Sequence, residues 1–179
     1  MANKGVRGFY LITQTIKDQL LLDENVNTVT TGDLTEIDLS KQTIFPLSHL
    51  IINSVTVQEQ VLNINISLLS MDIVDVSKDE VTDIFVGNDN EQDVLNTQLA
   101  VQNKLFGLLR QGTLYNDNYQ LVGDPSCEPF YDRFENELAG WSATFDIQIP
   151  NDIYLCKKYR RNIKRVCQAC YTAIKDTSN

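Results

Sequence analysis

Hydrophobic positions change their period several times along the chain, and each change predicts an element. Val6, Phe9, Thr13, Ile16 and Leu20 stand three and four apart, so residues 6–22 read as an amphipathic helix, stopped by Asp23-Glu24-Asn25. Residues 26–46 turn β-branched and polar, with a turn signal at Thr31-Gly32-Asp33 and a break at Phe45-Pro46. That composition predicts a short hairpin or an ordered arm. Alternation follows: Ile51, Asn53, Val55 and Val57 against Ile52, Ser54 and Thr56, then Leu62, Ile64, Ile66 and Leu68 against Asn63, Asn65 and Ser67. These are two strands of an antiparallel hairpin turning near Gln58-Glu59-Gln60. Past Leu68 the apolar phase slips to Leu69, Met71 and Ile73, which in a period-2 structure predicts a bulge or a stretch buried on both sides.

Residues 75–93 gather Asp75, Asp79, Glu80, Asp83, Asp89, Glu91 and Asp93 around a small apolar knot of Val81, Ile84, Phe85 and Val86, and read as an acidic, partner-facing loop. A helical stripe of Leu95, Leu99, Gln102, Leu105, Phe106 and Leu109 follows, with Asp93 as its N-cap, Arg110 in its last turn and Gly112 just beyond. Two short strands at 119–122 and 129–134 are separated by Gly123-Asp124-Pro125. Trp141, Ala143, Phe145, Ile147 and Ile149 then alternate with polar residues up to Pro150 as a half-buried strand whose Trp141 anchors the core. Tyr159, Ile163, Val166, Cys167, Cys170, Tyr171 and Ile174 close the chain as a basic amphipathic helix. Strands adjacent in sequence and amphipathic predict an α+β fold: an antiparallel sheet flanked by helices on one face, with an extended arm and an added C-terminal basic helix.

At 179 residues, with 42% hydrophobic and 22% charged residues, the chain has the size and composition of one globular domain. It carries no apolar run of membrane-spanning length and no apolar signal region behind Lys4, so it reads as a chain that stays in the cell that makes it, with reduced cysteines. The net charge of −9 conceals an asymmetry. Residues 157–179 hold seven basic residues against Asp176, or +6, which leaves −15 on residues 1–156. An acidic body is a poor ligand for duplex phosphate, whereas the basic segment suits nucleic acid, an acidic partner, or the body of a neighbouring copy.

No enzyme motif stands out. His49 is the sole imidazole, with no nucleophile motif near it, and reads as structural. The loop carboxylates lack the order of an EF-hand, and the glycines form no phosphate-cradling run. Cys167-x-x-Cys170 lies inside the predicted helix on its apolar stripe, where a redox pair would sit at the helix start, so buried thiols are expected. The alternative joins Cys127 and Cys156 to that pair as a four-thiolate zinc site, and makes the chain a nucleic-acid-associated regulatory module using the basic helix.

The succession of the opening helix, Val26-Asn27-Thr28-Val29-Thr30, Thr31-Gly32-Asp33 and Ile37 through His49 resembles the tail-terminator or tail-completion family of tailed bacteriophages. The hairpin ending in Leu69-Ser70-Met71-Asp72-Ile73-Val74, the helix from Asp93 to Arg110 and the closing Pro150-Asn151-Asp152-Ile153-Tyr154-Leu155-Cys156 extend the likeness over residues 6–156. It is also similar to the neck-ring proteins of crAss-like phages. The resemblance implies a ring domain at 1–156 with an added basic arm at 157–179. It implies a non-enzymatic virion protein without cofactor or metal, assembled in the host cytoplasm as a ring of six or twelve copies between portal, neck and tail proteins, through which DNA passes without specific binding. Lys157, Lys158, Arg160, Arg161, Lys164 and Arg165 are then the expected ring contacts. Asp79, Glu80, Asp83, Asp89 and Glu91 form the expected partner- or lumen-facing loop.

Overall fold

The computed structural model describes residues 7–75, 90–116, 119–133 and 137–151. The first helix, α1 (Arg7–Leu21), buries Ile12, Ile16 and Leu20, one residue per turn and a little more. Thr13, expected on that stripe, sits at its margin, with its hydroxyl donating back to the Phe9 and Tyr10 carbonyls. Asp23 closes the turn after the helix: its carboxylate accepts from the Asn25 amide at 3.1 Å and pairs with Lys104 at 2.9 Å.

Five strands make one sheet in the order β1-β2-β3-β5-β4: β1 (Thr28–Thr31), β2 (Leu47–Val57), β3 (Val61–Ile73), β4 (Gln120–Arg133) and β5 (Leu138–Pro150). The α+β class expected from the sequence holds, with one correction. β1 runs parallel to β2, so the sheet is mixed and the 26–46 stretch is an ordered arm rather than a hairpin. All other pairings are antiparallel.

One face of the sheet is covered by α1 and α2 (Glu91–Gln111), with the single turn α3 (Thr113–Asn116) at its end. Leu62, Ile64, Ile66 and Leu68 of β3 and Ala143, Phe145, Ile147 and Ile149 of β5 point into it against Ile12, Ile16, Val101, Leu105 and Leu109. Each of the larger side chains among these contributes about 1.5–3 kcal/mol on leaving water. Phe106 meets Phe145 edge-on, with centroids 5.1 Å apart. The cap lies three residues before the expected one: Asn90 occupies the cap position, and Glu91 and Asp93 lie in the first turn, where the positive end of the helix favours them.

The phase slip after Leu68 is a stretch buried on both sides. The β3–β5 register runs unbroken from Val61 to Ile73, and Leu69, Met71 and Ile73 turn to the opposite face. There the arm folds back over the sheet: Leu34, Ile37, Leu39, Ile44 and Phe45 pack against Leu47, Met71, Phe130 and Leu138. The arm is pinned by the Asn27 amide, which donates to the Thr43 carbonyl at 2.8 Å, and it joins β2 through a cis Phe45-Pro46 bond. The bulge lies in β2 instead, between Ile52 and Ser54, so Ile51 and Val55 face opposite sides rather than the same one. The two short strands expected at 119–134 are one strand, β4, which absorbs Gly123-Asp124-Pro125 through a register shift between Val122 and Ser126 and shifts again between Phe130 and Arg133.

Candidate interaction surfaces

The arm covers only the lower half of the second face. Above it, side chains of three strands, β2, β3 and β5, form a hydrogen-bonded polar ladder open to water. The Asn53 amide donates to Asn65 Oδ1 and Ser67 Oγ, both at 2.8 Å; the Asn65 amide donates to Asp146 at 2.9 Å; and Ser67 Oγ lies 2.9 Å from Thr144 Oγ1. Registration places Asn63, Gln148, Gln120, Ser126, Ser142 and Glu128 on the same face. Its charges are the carboxylates Asp146 and Glu128, and no Lys or Arg stands on it among the described residues. The alternation of apolar and polar residues in β3 and β5 announces such a face. The cross-strand pairing that knits it together is a matter of register, which residue identity alone does not give.

Beneath α2 the interior turns polar. Gln102, fully buried, donates through Nε2 to the Trp141 carbonyl at 2.8 Å, and to the Leu68 carbonyl and Ser70 Oγ at 3.3 and 3.4 Å. One turn earlier, Gln98 is also fully buried, with neither amide atom partnered, and Ser48 Oγ is likewise unpartnered. Trp141, on the helix-facing side, donates its indole N–H to the Leu95 carbonyl at 2.7 Å. Asp72 lies on the same side, and burial holds its carboxyl above the ordinary value, opposed by the Ile73 amide. His49, expected before the strand, sits inside β2: it is fully buried, with Nδ1 2.8 Å from Thr30 Oγ1 on β1. Burial pushes its pKa down, against the opposing pull of the Gly32 backbone and the Asp33 charge.

A groove of about 440 Å3 runs between α2 and β4, lined by Asn96, Leu99, Asn103, Phe106, Arg110 and Cys127. Arg110 crosses it to pair with Asp124. Cys127 is a free, half-buried thiol whose pKa burial raises. Cys156, Cys167 and Cys170, proposed with it as zinc ligands, lie outside the described residues, and no group of three or more metal-ligating side chains converges among the described ones. On α1, Tyr10, Leu11 and Leu21 are exposed, as is Leu22 just past its end.

Of the expected contact residues only Glu91 is described, at the first position of α2. Asp79, Glu80, Asp83 and Asp89, together with Lys157, Lys158, Arg160, Arg161, Lys164 and Arg165 and the expected basic helix, lie outside the described residues. No helix among the described residues is long and apolar enough to cross a membrane. No protein-family model matches the sequence, and no curated protein matches it.

Proposed function

We propose that this chain is a structural virion protein, an α+β ring subunit of a phage neck or tail that joins portal-proximal and tail-proximal rings around the DNA channel and catalyses no reaction. The observation that carries the reading is the open upper half of the sheet: a hydrogen-bonded face rich in Asn, Ser, Thr and Gln with two carboxylates and, among the described residues, no cation. Such a face gives duplex phosphates no counterion-releasing partner, so it can line a passage without holding what passes. The element order (helix, arm, hairpin, helix and two closing strands) agrees with the tail-terminator resemblance. The charge split supplies the assembly force. A +6 segment facing a −15 body is the unlike pair of patches that a head-to-tail interface needs, and such interfaces close into rings.

Native mass spectrometry at low and moderate salt tests this. A closed multiple of the 20.3 kDa chain, six or twelve copies, that loosens as salt rises is the expected result. A mass fixed at one chain under every condition overturns the self-assembling ring.

A further inference from the structure

The two halves of α2 are held down in unlike ways. From Val101 to Leu109 the helix belongs to the main core, where Val101, Leu105, Phe106 and Leu109 are buried with Ile12, Ile16, Ile66 and Phe145. Among the described residues its first two turns bury Val94 alone, with Leu95 partly covered, against Val74 and Ala139 in a small cluster apart from that core. Between the two stands Gln98, fully buried with both amide atoms unpartnered. Its place follows from its neighbours on the helix face: Gln102, one turn on, reaches Ser70, and Val94, one turn back, packs with Val74, so Gln98 lies at the level of Asp72. The floor there is polar. Ser48 and Ser70 are register partners, Ser48 Oγ has no partner, and the Asp72 carboxylate accepts from the Ile73 amide at 2.8 Å. Beside Gln98, Thr97 donates its hydroxyl back to the Asp93 and Val94 carbonyls at 2.9 and 3.0 Å, a bond that favours a bend in a helix.

We propose that the first two turns of α2, Glu91–Gln98, are a strap that unwinds as one unit while Val101–Leu109 stays docked, with Gln98 favouring the open state and the Trp141–Leu95 bond as the latch. A buried amide without a partner has given up its hydrogen bonds to water and gained none in return. Opening hydrates the Gln98 amide and the Ser48 hydroxyl; it loses the packing of Val94 and Leu95 and the indole N–H bond to the Leu95 carbonyl, 2.7 Å in the closed form. That balance is much closer to even than the one for Val101, Leu105 and Leu109, whose release opens the whole core. The open strap uncovers a strip of mixed character, Val74 and Ala139 beside Ser48, Ser70 and Asp72, at the lower end of the sheet. An apolar residue at 98, matching Val94 and Val101 on the same face, would close it. The strap requires neither a second copy nor DNA, so it stands apart from the ring reading.

Native-state hydrogen exchange on the full chain, read amide by amide by NMR with and without urea below the unfolding transition, provides the test. The amides of Leu95–Leu99 should share one opening and be protected at least about tenfold less than those of Leu105–Leu109. Urea should speed the second group far more than the first, because opening the strap exposes little surface. Gln98→Leu should slow exchange at Leu95–Leu99 together by about tenfold, and Trp141→Phe, which removes the latch, should speed it by about fivefold. Equal protection of the two groups with the same response to urea would overturn the strap, since α2 would then open only with the whole fold. Protection that climbs steadily from Leu95 to Leu99 and is unmoved by Gln98→Leu would overturn it too, as the fraying of a helix end. Neither outcome bears on the native mass that decides the ring.

Discussion

Two glycines on the page invite the same substitution and forecast opposite signs. Gly140 lies on β5 opposite Met71 of β3 and Phe130 of β4. A Cβ there would fall inside the contact radius of the Ser70 carbonyl oxygen, 2.8 Å from Met71 Cα and 3.0 Å from the Phe130 ring. Two of these three atoms belong to the backbone of the central strand, so relief requires β3 and β5 to separate. Overpacking of this kind costs about 1–3 kcal/mol, while replacing Gly by Ala recovers only about 0.4–1 kcal/mol from the unfolded chain. Gly140→Ala should therefore lose about 2 kcal/mol, a fall of about 4–8 °C in Tm for a chain of this size. Gly107 lies on the exposed side of α2, with nothing within 4 Å of its virtual Cβ. Gly107→Ala should gain about 1 kcal/mol from helix propensity alone. Urea unfolding of both variants beside the parent reads the difference directly. A Gly140→Ala midpoint equal to or above the parent's would refute the close approach of β3 and β5 at this point, and with it the unbroken register on which the phase slip depends.

Further expectations follow from the polar groups under α2 and the arm. Gln98→Leu removes two unpartnered buried amide atoms at similar volume and should stabilise by about 1–2 kcal/mol, whereas Gln102→Leu removes a bonded amide and should cost about 1 kcal/mol; thermal melts giving the two variants the same sign would refute the assignment. For His49 the folded pKa lies below the ordinary 6.5, so as pH falls the unfolded chain takes the proton first. Its contribution is whole above pH 6.5 and is lost from there down through the folded pKa, and His49→Gln should flatten that limb of a stability–pH curve. Asp72 has the reverse sign: its folded pKa lies above 3.8, so stability falls as pH rises from 3.8 through the folded value. Asp72→Asn should then unfold at higher urea than the parent at pH 7 and show no gain near pH 3.

The elements with one buried face were legible because period and burial coincide. Ile12 to Leu20 declares a helix, and Leu62 to Leu68 and Ala143 to Ile149 declare strands. Legibility failed where a second layer intervened. Leu69, Met71 and Ile73 look like a slip only until the arm's Leu34, Ile37 and Phe45 supply their partners, and nothing local says that residues 32–46 fold back across the sheet. The parallel pairing of β1 has the same origin, because the cover over Met71 and Phe130 is what carries the chain back to start β2 alongside β1. The β2 bulge was hidden because Ile51, Asn53, Val55 and Val57 alternate well enough by themselves, and the extra residue shows only against the register of β3. At the level of surfaces, the charge split was legible from composition. The polar ladder was not, because Asn53, Asn65 and Asp146 lie 12 and 81 residues apart.

These surfaces divide the sheet by height. The lower half is sealed on both sides, by α2 and by the arm, and holds the fully buried Met71, Leu47 and Leu138. The upper half keeps its core on the helix side only and presents the polar ladder together with the Ile51–Val57 edge of β2, which has neither charge nor proline and, past the β1 pairing at Leu47–Leu50, no strand beside it among the described residues. The unpaired backbone of that edge stands at the margin of a face already knit together by cross-strand side-chain pairs. A surface meant only for water would need neither the cross-strand rigidity nor the charge-free edge. β4, where Pro125 and Pro129 remove ladder donors and Asp124 and Glu128 add charge, shows how an edge looks in this same chain when pairing is to be refused.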